Sequence, residues 1–310
     1  MKNIVFIGLG AMGTPMAACL VRSGFVVKGF DLEPQRMATF VQKYGGKEAD
    51  CLHQACREAE AVVLILPNSA VVKTLLVGDQ GIVKDLKPGC VVIDMTSGLS
   101  AVTIALHHEL ARQGIAFFDA PVSGAVPRAV SGDLTIMVGG EDHIVQPAME
   151  ILCAMGQVTR TGAIGSGDVM KALNNLVSCG GYLIGIEALL IGTRFGLSPE
   201  KILEVLNAST GMNNSTQKKF EQYVLSRKFN SGFPIHMMLK DLDNAVDLGH
   251  QLGVTTPFSQ LCRDLWASAS TMLGSDVDHT AVAWLCEVMA GSKIIGHTEA
   301  NDDASVKPVH

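Results

Sequence analysis

Ile4-Val5-Phe6-Ile7-Gly8-Leu9-Gly10-Ala11-Met12-Gly13 opens the chain and decides how its first half is read. Four apolar residues lead into a G-x-G-x-x-G loop, and an apolar helical run, 14–21, follows. Only in that order of strand, loop and helix do the glycines carry meaning. Gly8 permits the tight turn, Gly10 lets the backbone approach a pyrophosphate, and Gly13 lets the helix pack closely on the strand. The helix N-terminus adds amide donors and a partial positive charge. A second strand-like run, 26–30, ends at Asp31, 18 residues after Gly13. A carboxylate there accepts ribose hydroxyls and repels a 2′-phosphate, so loop and acid together read as a dinucleotide site that favours NAD. Arg36 is the nearby group that would admit NADP instead. Taken singly, the glycines could form a structural turn and Asp31 could cap a loop.

Outward from this unit the first half alternates. Short apolar runs rich in β-branched residues fall at 4–7, 26–30, 61–66, 91–94, 115–119 and 134–138. Strands buried on both faces read this way. Helical stretches, such as 101–113 and 142–155, lie between them, which predicts a parallel, doubly wound sheet. Beyond Gly162 no strand is expected. A long helix covers about 166–195, and further helices are expected at 199–207, 236–252, 257–273 and 279–289. Ser198-Pro199-Glu200 reads as one helix start and Thr256-Pro257 as another. The expected fold class is an α/β Rossmann-like N-terminal domain, 1–162, joined through the long interdomain helix to an all-α domain, 163–296. A polar tail, 297–310, is expected to be flexible.

Composition narrows the class. The 310 residues are 48% hydrophobic and 17% charged, with a formal net charge of −6 and no dense Lys/Arg run, which argues against a nucleic-acid partner. The eight cysteines form no C-x-x-C pair and no Cys/His cluster, so no metal site is expected and a reducing, cytoplasmic setting is. A strand directly after Met1 leaves no room for a signal peptide. Residues 176–191 are apolar but shorter than the roughly 20 residues of a bilayer span, and they contain Glu187. They read as a buried helix, not a membrane segment, with Gly180, Gly181 and Gly185 allowing a close neighbour.

Three further segments carry chemistry. Asp119-Ala-Pro-Val-Ser123-Gly124-Ala125 follows a strand, and the carboxyl edge of an open α/β sheet is where ligands bind. Ser123 and Gly124 offer a hydroxyl and an amide to a carboxylate, although the spacing equally suits a plain turn. Gly165-Ser-Gly-Asp-Val-Met-Lys171-Ala-Leu-Asn174-Asn175 opens the long helix. Lys171 and Asn175, four apart, share one helical face. A lysine flanked by Met170, Ala172 and Leu173 is partly desolvated, which favours general acid–base work. A solvated helix lysine is the plainer alternative. Lys240 precedes Asp241 and Asp243; it can face a ligand or pair with an acid, Asp241, Asp243 or Asp247.

Read in order, FIGLGAMGTPMA (6–17), LPN (66–68), DMTS (94–97), DAPVSGAVPRAVSGDLTIMVGG (119–140), GSGDVMKALNN (165–175) and KDLDNA (240–245) resemble the β-hydroxyacid dehydrogenase family. The resemblance spans Met1 to about Gly291. It implies Lys171 as the catalytic proton-exchanging lysine and Ser123, Gly124, Asn175 and Thr96 as substrate contacts. It implies Gly8, Gly10, Met12, Gly13, Asp31, Leu66, Pro67, Asn68, Thr96, Ser97 and Lys240 as cofactor contacts. The activity implied is NAD-dependent oxidation of a small hydroxy acid of the 3-hydroxyisobutyrate or threonate kind. The alternatives are reduction of a small semialdehyde such as tartronate semialdehyde, or a catalytically silent NAD-binding module. A small carboxylate substrate and a homodimer or homotetramer are implied as partners. Two departures stand out: Ala125 where the family commonly has glycine, and Asp-Met-Thr-Ser at 94–97 where Asp-x-Ser-Thr or Asp-x-Ser-Ser is common. The polar, amide-rich stretch 209–216 hints at a hydroxylated substrate, although Asn and Gly also favour turns.

Overall fold

The structure, a computed structural model, describes residues 1–294; the expected tail, 297–310, lies outside the described residues. The chain forms two compact units, Met1–Lys171 and the part from Ala172 onward, dividing within one continuous helix, Ser166–Phe195.

The first unit is built on a nine-stranded sheet. Its strands are β1 (Asn3–Ile7), β2 (Val26–Phe30), β3 (Lys47–Glu48), β4 (Ala61–Leu64), β5 (Val91–Asp94), β6 (Ala116–Asp119), β7 (Val122–Ser123), β8 (Leu134–Gly139) and β9 (Gly156–Gly162). Their order is β3-β2-β1-β4-β5-β6-β8-β7, with β9 on β8. The apolar runs are continuous because both faces are covered. Along β1, Ile4 and Phe6 join one core while Val5 and Ile7 join the other.

Three expectations are corrected here. The sheet is not wholly parallel: β8 runs antiparallel to β6, pairing Asp119 with Gly139, and β7 is antiparallel to β8. The link between β7 and β8 holds only the seven-residue helix Ala125–Ser131, left at Gly132 with φ 74°. A helix rising about 1.5 Å per residue is too short there to carry the chain back to its starting edge, so β8 makes the return itself. Residues 142–155 are not one helix. They break into Asp142–Val145, a 3-10 turn Gln146–Ala148 and Met149–Cys153, with Pro147 inside the turn. β9 and the two-residue β3 and β7 were not expected. β9 is polar and largely exposed because it pairs only with β8, so it lacks an apolar signature.

The second unit is helical among its described residues. The long helix buries Tyr182, Ile186 and Leu189 in a core shared with Phe220, Trp266 and Val282. By length and composition it could cross a bilayer, while one face of it, with Tyr182, Ile186 and Leu189, packs into this core. Its glycines sit where neighbours press closest: a Cβ on Gly185 would lie 2.6 Å from the Phe220 ring, and one on Gly180 3.0 Å from Phe258. Ser198 caps the helix Pro199–Asn207 by accepting from Lys201 N–H, whereas Thr256 makes no side-chain cap for Pro257–Leu273.

Two substitutions separate steric demand from backbone demand. A Cβ on Gly13 would lie 1.7 Å from the Gly8 carbonyl oxygen. Gly13→Ala is expected to cost about 3 kcal/mol, read as a fall in Tm of roughly 6–10 °C. Ala125 sits at φ 57°, where a side chain costs about 1 kcal/mol. Ala125→Gly is expected to keep or slightly raise Tm; a clear fall would show that the alanine methyl packs better than its backbone angle suggests.

Candidate active site

The glycine loop joins β1 to the helix Gly13–Arg22. Gly8 has φ 99°, and a Cβ there would meet the Ile65 carbonyl oxygen at 2.2 Å. Gly8 and Gly13 are therefore fixed by the fold. Gly10 is different: the nearest protein atom to a Cβ there is Arg36 Nη1 at 3.6 Å. Space left open at Gly10, beside the first turn of a helix, fits the pyrophosphate of a dinucleotide. A shallow groove of about 390 Å³ borders it, lined by Leu9, Gly10, Arg36, Tyr44 and Val126 among others. Asp31 closes the loop from β2. Leu9 N–H donates to its Oδ2 at 2.8 Å and Glu33 N–H to its Oδ1 at 2.9 Å. Arg36 lies 3.5 Å from Asp31 Oδ2 and bonds Glu33 Oε1 at 2.6 Å, so two carboxylates hold this guanidinium.

The next loops lie along the same carboxyl edge of the sheet, after β4 and β5. Leu66 N–H donates to Thr96 Oγ1 at 3.0 Å, and Thr96 N–H to Asp94 Oδ1 at 3.0 Å. This joins two of the expected cofactor segments. Thr96 is buried, its side chain engaged by the Leu66 amide. Asn68 caps the helix Ser69–Val77 by accepting from Val71 N–H. Ser69 Oγ accepts from Leu99 N–H at 2.7 Å, tying that helix start to the loop containing Ser97.

A buried acidic group, which the sequence reading missed, anchors the helical turn that leads to Lys171. Asp119, at the end of β6, accepts from Gly165 N–H at 2.8 Å and Asp168 N–H at 3.0 Å. A third amide, Gly167 N–H, also bonds it. These are the entry residues of the long helix, so a buried carboxylate caps its positive end. Burial pushes the Asp119 carboxyl up, and the amide bonds oppose that shift. Asp168, in the helix's first turn, accepts from Gly98 N–H at 3.0 Å and from Thr103 Oγ1 at 2.7 Å. Burial, then the charges of Asp119 and Asp94, push Asp168 up to about 8. Lys171 follows one turn later and is half-buried.

Ser123 lies on β7, paired with Thr135 of β8. Gly124 has φ 140° and starts the helix Ala125–Ser131. Both are half-buried, a few residues past Asp119. Asn175 and Lys240 belong to the second unit. There Asn175 Nδ2 donates to Asp241 Oδ2 at 2.5 Å, and Lys240 Nζ lies 3.4 Å from Asp241 Oδ1. Asn174 Nδ2 donates to Asn175 Oδ1 at 3.1 Å. Asp241 is thus the hub of this network, and the Lys240 pairing considered from sequence is present. The amide-rich stretch 209–216 is used for capping. Asn213 and Thr216 form a reciprocal capping box on the helix Asn214–Lys218. No group of three or more His, Cys, Asp or Glu suited to a metal occurs among the described residues.

Comparison with known proteins agrees with this construction. Residues 3–165 match the family described as the NAD binding domain of 6-phosphogluconate dehydrogenase. Residues 165–286 match the family described as NAD-binding of NADP-dependent 3-hydroxyisobutyrate dehydrogenase. The chain is 32% identical to 2-(hydroxymethyl)glutarate dehydrogenase of Eubacterium barkeri, over 95% of this chain and 98% of the relative. It is 34% identical to 3-hydroxyisobutyrate dehydrogenase of Pseudomonas aeruginosa, over 86% of this chain and 92% of that one. The solved 3-hydroxyisobutyrate dehydrogenase of Mycobacterium tuberculosis with L-serine superposes with a TM-score of 0.84 at 29% identity, covering 92% of this chain and 99% of that one. With its NAD(P)-binding loop, its lysine-bearing helix and these relatives, the chain belongs to the β-hydroxyacid dehydrogenase family, enzymes that oxidise or reduce at the CH–OH group of small acids.

Proposed function

We propose that the protein is an NAD-dependent dehydrogenase of a small hydroxy acid, with Lys171 as general acid and base. The observation that carries the reading is the fixing of Lys171's helical turn to the carboxyl edge of the sheet through Asp119 and Asp168. The division of labour follows: the first unit binds NAD, and the helical unit, from about residue 163, is the substrate and oligomerisation domain.

Gly8, Gly10, Met12 and Gly13 form the cradle for the pyrophosphate, and Asp31 takes the ribose hydroxyls. Leu66, Pro67, Asn68, Thr96, Ser97 and Lys240 wall the cofactor. Arg36, held by Asp31 and Glu33, would have to leave two carboxylates to greet a 2′-phosphate, which supports NAD over NADP. NAD, when bound, accepts the hydride from the substrate carbon. Ser123 Oγ and Gly124 N–H hold the substrate carboxylate, and Thr96 and Asn175 are further substrate contacts. Asp241 orients the Asn175 amide by accepting from its Nδ2. Lys171 Nζ takes the hydroxyl proton during oxidation and returns it to the carbonyl oxygen when a semialdehyde is reduced. Holding these groups in place converts a bimolecular encounter into an intramolecular one. Val177, Ile184 and Ile191, exposed at seven-residue spacing on the long helix, support self-association as a dimer or tetramer. A cytoplasmic enzyme fits the eight free thiols.

The direct test follows absorbance at 340 nm with NAD and a panel including 3-hydroxyisobutyrate, L-threonate and L-serine. Reduction with at least one acid is expected; silence across the panel with NAD bound would overturn the reading. Lys171→Ala should lower kcat by about 10²–10⁴-fold with NAD affinity nearly intact, and wild-type turnover would remove the lysine from the chemistry. Asp31→Ala should weaken NAD relative to NADP in a binding titration. An unchanged ratio would leave Asp31 as a brace for Leu9 alone.

A further inference from the structure

We propose that Asp168 is a positioning residue for Lys171, setting the lysine's height and direction at the sheet edge. The proposal rests on the reading of Lys171 as acid and base. Asp168 is 3% exposed, yet it bonds three separate segments. Its Oδ1 accepts from Gly98 N–H, its Oδ2 from Thr103 Oγ1, and its own N–H donates to Asp119 Oδ2. One residue thus pins the first turn of the helix to the loop after β5, the helix Ser100–Ala111 and the end of β6. Lys171 stands three residues on, the spacing at which helical side chains are neighbours.

The socket is shaped for these carboxyls. A Cβ on Gly98 would lie 3.3 Å from Asp168 Oδ1, and one on Gly139 or Gly167 would lie 2.7 Å from an Asp119 oxygen. Apolar contacts would anchor a helix at lower cost than buried acids do. A fully bonded polar network fixes one geometry, which is what a catalytic side chain needs.

The charges facing Asp168 are those of Asp119 from β6 and Asp94 from β5. Both are acids, and burial adds to their effect, holding the Asp168 carboxyl up at about 8. At neutral pH it keeps its proton, and the Thr103 hydroxyl can pair with either form. The folded value lies above the ordinary one, so the stabilising contribution is complete in acid and is lost as pH rises through about 8. Above that pH the ionised carboxyl adds a charge to the cluster and loosens the turn that carries Lys171.

The test compares Asp168→Ala, Asp168→Asn and Thr103→Val in the full enzyme with saturating NAD and the best acid of the panel. Asp168→Ala should lose about 10–100-fold in kcat, with KM for the acid and Kd for NAD within about threefold. Asp168→Asn, a neutral isostere, should restore most of that loss. It should also move the alkaline fall of kcat to higher pH than in the wild type, and lessen the fall of Tm as pH rises toward about 8. Wild-type kcat in Asp168→Ala overturns the proposal. So does an unmoved alkaline limb in Asp168→Asn, or equal losses in both variants. If Asp168→Ala does not fold, Thr103→Val keeps the carboxyl and removes one bond; an undiminished kcat there also overturns it. Turnover in Lys171→Ala would defeat the reading of Lys171 itself, whereas an inactive Lys171→Ala beside a fully active Asp168→Ala defeats only the positioning role.

Discussion

A buried carboxylate on a helix N-terminus organises the first unit. Asp119 ends β6, pairs in register with Gly139 of β8, and receives the entry amides of the 30-residue helix. A carboxylate at a helix N-terminus is worth up to ~2 kcal/mol when partly buried, and burial of the charge works against it. The balance is workable because backbone N–H groups supply its bonds and glycines at 139 and 167 leave room for it. Without this carboxylate the three entry amides of the lysine helix would lose their acceptor.

The sequence carried some parts of this arrangement and hid others. The glycine loop was legible because Gly8 and Gly13 answer local constraints, a left-handed turn and a helix–strand contact. The strands were legible because each is buried on both faces. β9 was not, because an edge strand pairing on one side needs no apolar run. The break at 146–148 followed Pro147, a signal present in the sequence but outweighed by the apolar residues around it. Lys171 and Asn175 were found by their spacing and by resemblance. Asp168 was passed over, and Asp241 was weighed only as a surface partner for Lys240, since an acid on a helix normally faces water. Only tertiary packing reveals that both are buried and act as hubs. Asp119 at a strand's carboxyl end was the available clue.

Ala125 shows how a departure from the family pattern reads physically. A methyl stands where the family commonly has glycine. The structure adds that Ala125 occupies a left-handed backbone position, with φ 57°, directly after Gly124. The chain therefore accepts strain beside Ser123 and Gly124, which carry the proposed carboxylate anchor. In the second unit, Asn175, Asp241, Lys240 and Asn174 form a bonded series whose buried members cannot reorient cheaply. Such rigidity suits a site that must distinguish small acids by the placement of a few polar atoms.

The account stands or falls on direct transfer from substrate carbon to nicotinamide. Incubating the enzyme with NAD and a hydroxy acid deuterated at the carbinol carbon, then analysing the reduced cofactor by mass spectrometry, measures that transfer. One deuterium per reduced nicotinamide is the predicted result. Reduced cofactor without deuterium, or none formed from any acid while NAD is bound, would contradict it.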